Sequence, residues 1–68
     1  MIKSITIKRE RFRDLYGEWE DESFDDYIKY VTKKINEIRD THDIYNISIL
    51  AYATVILYYD GENATAVN

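Results

Sequence analysis

The sequence predicts an α+β domain in which one helix packs on a small sheet, in the order strand, aromatic loop or helical turn, helix, long bent strand. Three patterns predict it. Residues 2–9 alternate between apolar and polar side chains, a helical stripe follows Ser23, and an almost wholly β-prone run extends from Ile44 to Tyr59. The 68 residues make a single domain, 1–68. A core of this size supplies only about 3–5 kcal/mol unless disulfides, metal or oligomerisation add to it. The sequence has no cysteine and one histidine, so disulfides and thiolate or histidine-rich metal sites are excluded. Association of copies is the staple left, and the sheet is expected to be completed by a homodimer at least.

In the first strand Ile5 and Ile7 alternate with Ser4, Thr6 and Lys8, as a strand with one wet face requires. Residues 10–22 form an irregular aromatic and acidic insert. Phe12, Leu15, Tyr16 and Trp19 have the spacing of one helix face, but Gly17 interrupts them and acids crowd the end where the helix dipole opposes them. A helical turn or compact loop is expected there.

The helix starts at Ser23, an N-cap with Asp26 three residues on, and Asp25 and Asp26 complement the dipole. Phe24, Ile28, Val31, Ile35 and Ile38 form its apolar stripe, joined by Tyr27. Asp25–Lys29 and Lys33–Glu37 have i,i+4 spacing. The helix is expected to end near Asp40, with Thr41, His42 and Asp43 as the connection.

Strict alternation then places Tyr45, Ile47, Ile49, Ala51, Ala53, Val55, Leu57 and Tyr59 on one face. No Gly, Pro, Asn or Asp interrupts residues 47–59, so a tight hairpin lacks turn chemistry. An unbroken strand would reach roughly 50 Å, too long for so small a globule. A bend at Ala51 and Ala53 plus a dimer is the expectation, with the strand ending at Asp60-Gly61 and 61–68 a flexible tail.

Charge is distributed unevenly around the net −4. Residues 1–17 carry Lys3, Lys8, Arg9, Arg11 and Arg13 against Glu10 and Asp14. Residues 18–26 carry Glu18, Glu20, Asp21, Glu22, Asp25 and Asp26 with no base. Such blocks suit complementary pairing with another surface, or are simply a solvated face and helix-start acids.

Little here carries chemistry. His42, between Asp40 and Asp43, reads as a helix-end residue and not as an acid–base centre. The acids lack the alternation and glycine of a calcium loop, and Gly17 and Gly61 cannot build a phosphate loop. No metal and no cofactor is expected, and the chain is expected not to be an enzyme. The stretch Lys8, Arg9, Arg11, Phe12, Arg13, Tyr16 interleaves bases with aromatics as nucleic-acid binders do, but the net charge opposes phosphate binding. Tyr16, Trp19, Tyr27, Tyr30, Tyr52, Tyr58 and Tyr59 exceed what one helix and two strands can bury, and Trp and Tyr dominate interface hot spots.

The segments Phe24-Asp25-Asp26-Tyr27-Ile28 to Lys34-Ile35-Asn36-Glu37-Ile38, Ile44-Tyr45-Asn46-Ile47-Ser48-Ile49 and Tyr52-Ala53-Thr54-Val55-Ile56-Leu57-Tyr58-Tyr59-Asp60 resemble a family of very small proteins. These are the sporulation-associated acidic proteins of low-GC Gram-positive bacteria and their phages. The resemblance covers residues 2–9 and 24–60. It implies a βαβ-type core and no catalytic residues. The chain departs from the family in its insert at 10–22 and in lacking turn residues between the last strand halves.

The leading expectation is a phage- or prophage-type protein, cytoplasmic and without a membrane span, that binds and inhibits a bacterial host protein. An anti-CRISPR blocking a basic, nucleic-acid-binding defence effector is the model case. Tyr16, Glu18, Trp19, Glu20, Asp21, Glu22, Asp25 and Asp26 are the expected contact residues. One alternative is an oligomeric sponge for a nucleotide signal, with Arg9, Arg11 and Arg13 on its phosphates. Another is a small structural sporulation-associated protein.

Overall fold

The computed structural model describes residues 1–62. The chain runs β1 (Ile2–Lys8), β2 (Arg11–Arg13), β3 (Trp19–Asp21), α1 (Phe24–Thr41), β4 (His42–Ile49) and β5 (Ala53–Glu62). One helix packs against a three-stranded antiparallel sheet of order β1-β5-β4, and β2 pairs with β3 in a separate two-stranded hairpin. The class is therefore α+β. No described helix is long and apolar enough to cross a membrane.

Local signals account for the helix. Ser23 Oγ accepts from the Asp26 N–H at 3.1 Å, so the N-cap closes as its spacing predicts. At the other end no connecting segment exists. The helix runs through Thr41, and His42 is already extended while its N–H still reaches the Ile38 carbonyl. The exposed i,i+4 pairs do not form, whereas Lys34 and Glu37, at i,i+3, lie 3.5 Å apart. Such pairs contribute only tenths of a kcal/mol, so sequence spacing alone does not choose among them.

The core comprises Ile7, Tyr27, Val31 and Ile56, with Ile5, Ile28, Ile35, Ile38, Ile44 and Ile47 packed around it. Phe24, expected in the apolar stripe, is exposed. Tyr27, expected to join that stripe but also counted among the surplus rings, is wholly buried. Its hydroxyl donates to the Leu50 carbonyl at 2.9 Å and lies 2.6 Å from Thr54 Oγ1. With its one proton on Leu50, Tyr27 must accept from Thr54, which is also fully buried. This polar chain is what makes a buried tyrosine tolerable.

The run from Ile44 to Tyr59 is not one bent strand but two paired strands. It folds back at residues 50–52, and β4 pairs with β5 from Ile49↔Thr54 to His42↔Glu62. The reversal undoes the single alternating face. Ile47 pairs with Ile56 and points toward the helix, whereas Val55 and Leu57 share the opposite face with Ser48 and Asn46. No residue of the turn has positive φ. Its carbonyls are instead met from elsewhere: Leu50 by the Tyr27 hydroxyl, Ala51 by Arg9 Nη1 and Tyr52 by the Arg9 N–H. Tertiary hydrogen bonds supply what turn residues would otherwise provide. Of the expected tail, Gly61 and Glu62 belong to β5, and residues 63–68 lie outside the described residues.

Candidate functional site: an exposed β-hairpin

Residues 10–22 are a paired hairpin, neither the helical turn nor the compact irregular loop expected. The reason is Asp14 followed three residues later by Gly17. The Gly17 N–H donates to the Asp14 carbonyl (3.2 Å), and the Asp14 N–H donates to the Glu18 carbonyl (2.9 Å). Asp14 Oδ1 accepts from the N–H groups of Tyr16 (2.8 Å) and Glu18 (2.9 Å). Gly17 has φ +79°, a conformation that costs other residues about 1–2 kcal/mol. An Asp-initiated turn closed by a left-handed glycine is a common three-residue hairpin loop.

This turn holds Leu15 and Tyr16 out at the tip, 99% and 88% exposed. Below the tip, Arg13 pairs with Trp19 and Arg11 with Asp21 on one face, and Phe12 pairs with Glu20 on the other. The guanidinium groups of Arg11 and Arg13 lie 4.9 and 4.8 Å from the Trp19 ring centroid. Exposed cation–π contacts contribute about 0.5–1 kcal/mol each and fix the indole, which stays half exposed.

Strand geometry thus divides the acidic block. Tyr16, Glu18, Trp19, Glu20 and Asp21 are all exposed on the arm, but Glu20 faces away from Trp19 and Asp21. Glu22 serves the base of the arm. Its N–H donates to the Glu10 carbonyl, its Oε1 accepts from the Glu10 N–H, and its carbonyl accepts from Arg9 Nε. Asp25 and Asp26 are exposed in the first turn of α1.

The three arginines divide in the same way. Arg9 is half-buried and binds the carbonyls of Glu22 and Ala51, with its guanidinium 5.7 Å from both the Phe24 and Tyr52 rings. It clamps the arm, the helix start and the β4–β5 turn together. Arg11 and Arg13 stay with Trp19 on the arm. Residues 9–26 carry three bases and eight acids, a balance of −5, while the described remainder and tail together carry +1.

His42 is half-buried at the far end of the body. Its Nδ1 lies 2.8 Å from Thr41 Oγ1, and its ring meets Tyr58 edge-on at 5.2 Å between centroids. Among the described residues no group of three or more His, Cys, Asp or Glu is placed to hold a metal ion.

Sequence reasoning missed the exposure of Leu15 and Phe12, because their spacing imitated a helix face. The signal that identifies them is Asp14 with Gly17. No family model, curated protein or solved structure matches the chain.

Proposed function

We propose that the protein is a recognition module, not a catalyst, which docks the β2–β3 arm into a cleft of another protein and blocks it. The observation that carries this reading is the presentation of Leu15 and Tyr16 on a turn stiffened by four hydrogen bonds. Water-exposed apolar side chains on an ordered projection lose little entropy when they enter a pocket, the situation in which a few residues dominate binding.

Trp19, held by its two arginines, adds a second anchor beside the tip. The local balance of −5 around the arm favours a partner with a basic rim and would accelerate encounter. A nucleic-acid-binding protein of a bacterial host has that character, and the proposed setting is the cytoplasm of such a host. This supports an inhibitor that competes with nucleic acid for a basic cleft.

The test is capture from bacterial lysate followed by a direct binding measurement on the recovered protein. Wild type is expected to bind it, and Leu15→Ser with Tyr16→Ser to weaken binding at least about 100-fold, the value of two modest hot spots. Lys29→Glu, on the exposed face of the helix, is expected to leave affinity unchanged. Equal binding by wild type and the tip variant would refute the arm as the contact.

A further inference from the structure

The two edges of the β1-β5-β4 sheet differ in kind. The register of β4 against β5 shifts between His42 and Ile44 and again between Ile44 and Asn46. Bulges of this sort twist an edge away from further pairing. β1 instead pairs with β5 without a break from Ile2 to Lys8. Its lysines stand near its two ends, and the stretch between them, Ser4-Ile5-Thr6-Ile7, is neutral.

Hydrogen-bond phase along β1 follows from its two ends. The Asp60 N–H donates to the Met1 carbonyl, and the Arg9 N–H donates to the Tyr52 carbonyl. The odd-numbered residues of β1 therefore bond β5. The backbone groups of Ile2, Ser4, Thr6 and Lys8 point outward, into an edge that the described residues leave unpaired.

Beside this edge the core is incomplete. The helix contacts β4 and β5 more than β1, leaving a groove between β1 and α1. Two cavities of about 280 and 390 Å³ lie along it and share Ile5 and Lys34. Tyr30 and Ile38 line the groove from the helix, and Ile5 and Ile7 line it from the strand.

We propose that a second copy of the chain occupies this edge, its β1 pairing antiparallel with β1 about a two-fold axis through Ile5. In this register every outward residue is matched. Ser4 faces the partner's Thr6, Ile2 faces the partner's Lys8, and Ile5 faces the partner's Ile5. The three-stranded sheet becomes six-stranded and the two grooves meet above the seam. A seven-residue seam is about 23 Å long. With a helix flanking it on each side, it closes an interface on the order of 1000 Å² in total, at the weak end of specific association. Dissociation in the micromolar range is the expectation. The axis sends the two hairpin arms to opposite ends, so the dimer is bivalent. The inference stands apart from the function of the arm, since it concerns only β1 and the groove.

Sedimentation across the micromolar range tests it, with circular dichroism to verify folding. Wild type is expected to pass from monomer to dimer. Thr6→Pro removes an outward N–H and no bond to β5, so it is expected to keep the fold and remain monomeric. In this cysteine-free sequence, Ile5→Cys is expected to give a disulfide-linked dimer on oxidation, because Ile5 meets its own copy in a non-hydrogen-bonded pair. Thr6→Cys, facing the partner's Ser4, is expected to give little. A wild type monomeric at the highest concentration, a Thr6→Pro protein that still dimerises, or equal cross-linking by both cysteine variants would each overturn the proposal. The first of these would leave the edge to a strand of some other protein.

Discussion

Two hairpins of this chain are held by opposite means. In the β2–β3 arm everything that shapes the turn lies within five residues, from the Asp14 carboxylate to the left-handed Gly17. The β4–β5 turn at residues 50–52 has no such residues, and its carbonyls are satisfied by Tyr27 and Arg9 from distant parts of the chain. The difference concerns dependence. A locally encoded hairpin needs no core and can project into solvent with its apolar tip bare. A tertiary turn exists only once the helix and β1 are in place, so it belongs inside the cooperative unit.

The variant that bears most heavily on this contrast is Tyr27→Phe. It leaves the buried Thr54 hydroxyl and the Leu50 carbonyl without their partner, a cost of about 1–3 kcal/mol. Thermal denaturation is expected to show a midpoint lowered by at least about 5 °C for a domain of this size. A smaller shift would mean that water replaces the phenol and the turn is less dependent than described. Gly17→Ala is the counterpart in the arm. Its φ of +79° implies about 1–2 kcal/mol of strain, confined to residues 11–21. Cross-strand nuclear Overhauser effects between β2 and β3 are expected to fade while the helix signal and the global midpoint hardly move. Should the midpoint fall as far as for Tyr27→Phe, the arm is part of the core after all. The smallest effect is expected for Leu15→Ser with Tyr16→Ser, because both side chains touch almost nothing. Its unfolding free energy is expected to stay within about 0.5 kcal/mol of wild type, so any loss of binding reports contact and not folding.

Much of the body was legible. Ser23 capping a periodic stripe marks α1, and alternation around Ile5 and Ile7 marks β1, because both signals are local and repeat along the element. The arm was misread for a definable reason. Four apolar residues at helical spacing kept a helical turn open beside a compact loop, and Gly17 was read as breaking a helix, not as closing a turn begun at Asp14; the exposed Leu15 and Tyr16 have no core to face. Of the candidate contact residues, Tyr16, Glu18, Trp19, Glu20 and Asp21 fall on the arm. Glu22, with its backbone and carboxylate drawn into the base, does not project in the same way.

Composition and periodicity by themselves determined the class, the helix and its cap, the first strand, and a surplus of aromatic rings over available core. Tertiary structure alone decided that the run from Ile44 to Tyr59 doubles back, that β1 lies beside β5, and that Phe24 of the apolar stripe is left exposed. The physical reason is the range of the interactions. Periodicity records which face of an element is apolar, but a turn without glycine or asparagine forms only when hydroxyl and guanidinium donors arrive from residues far along the chain, and no local pattern records that arrival.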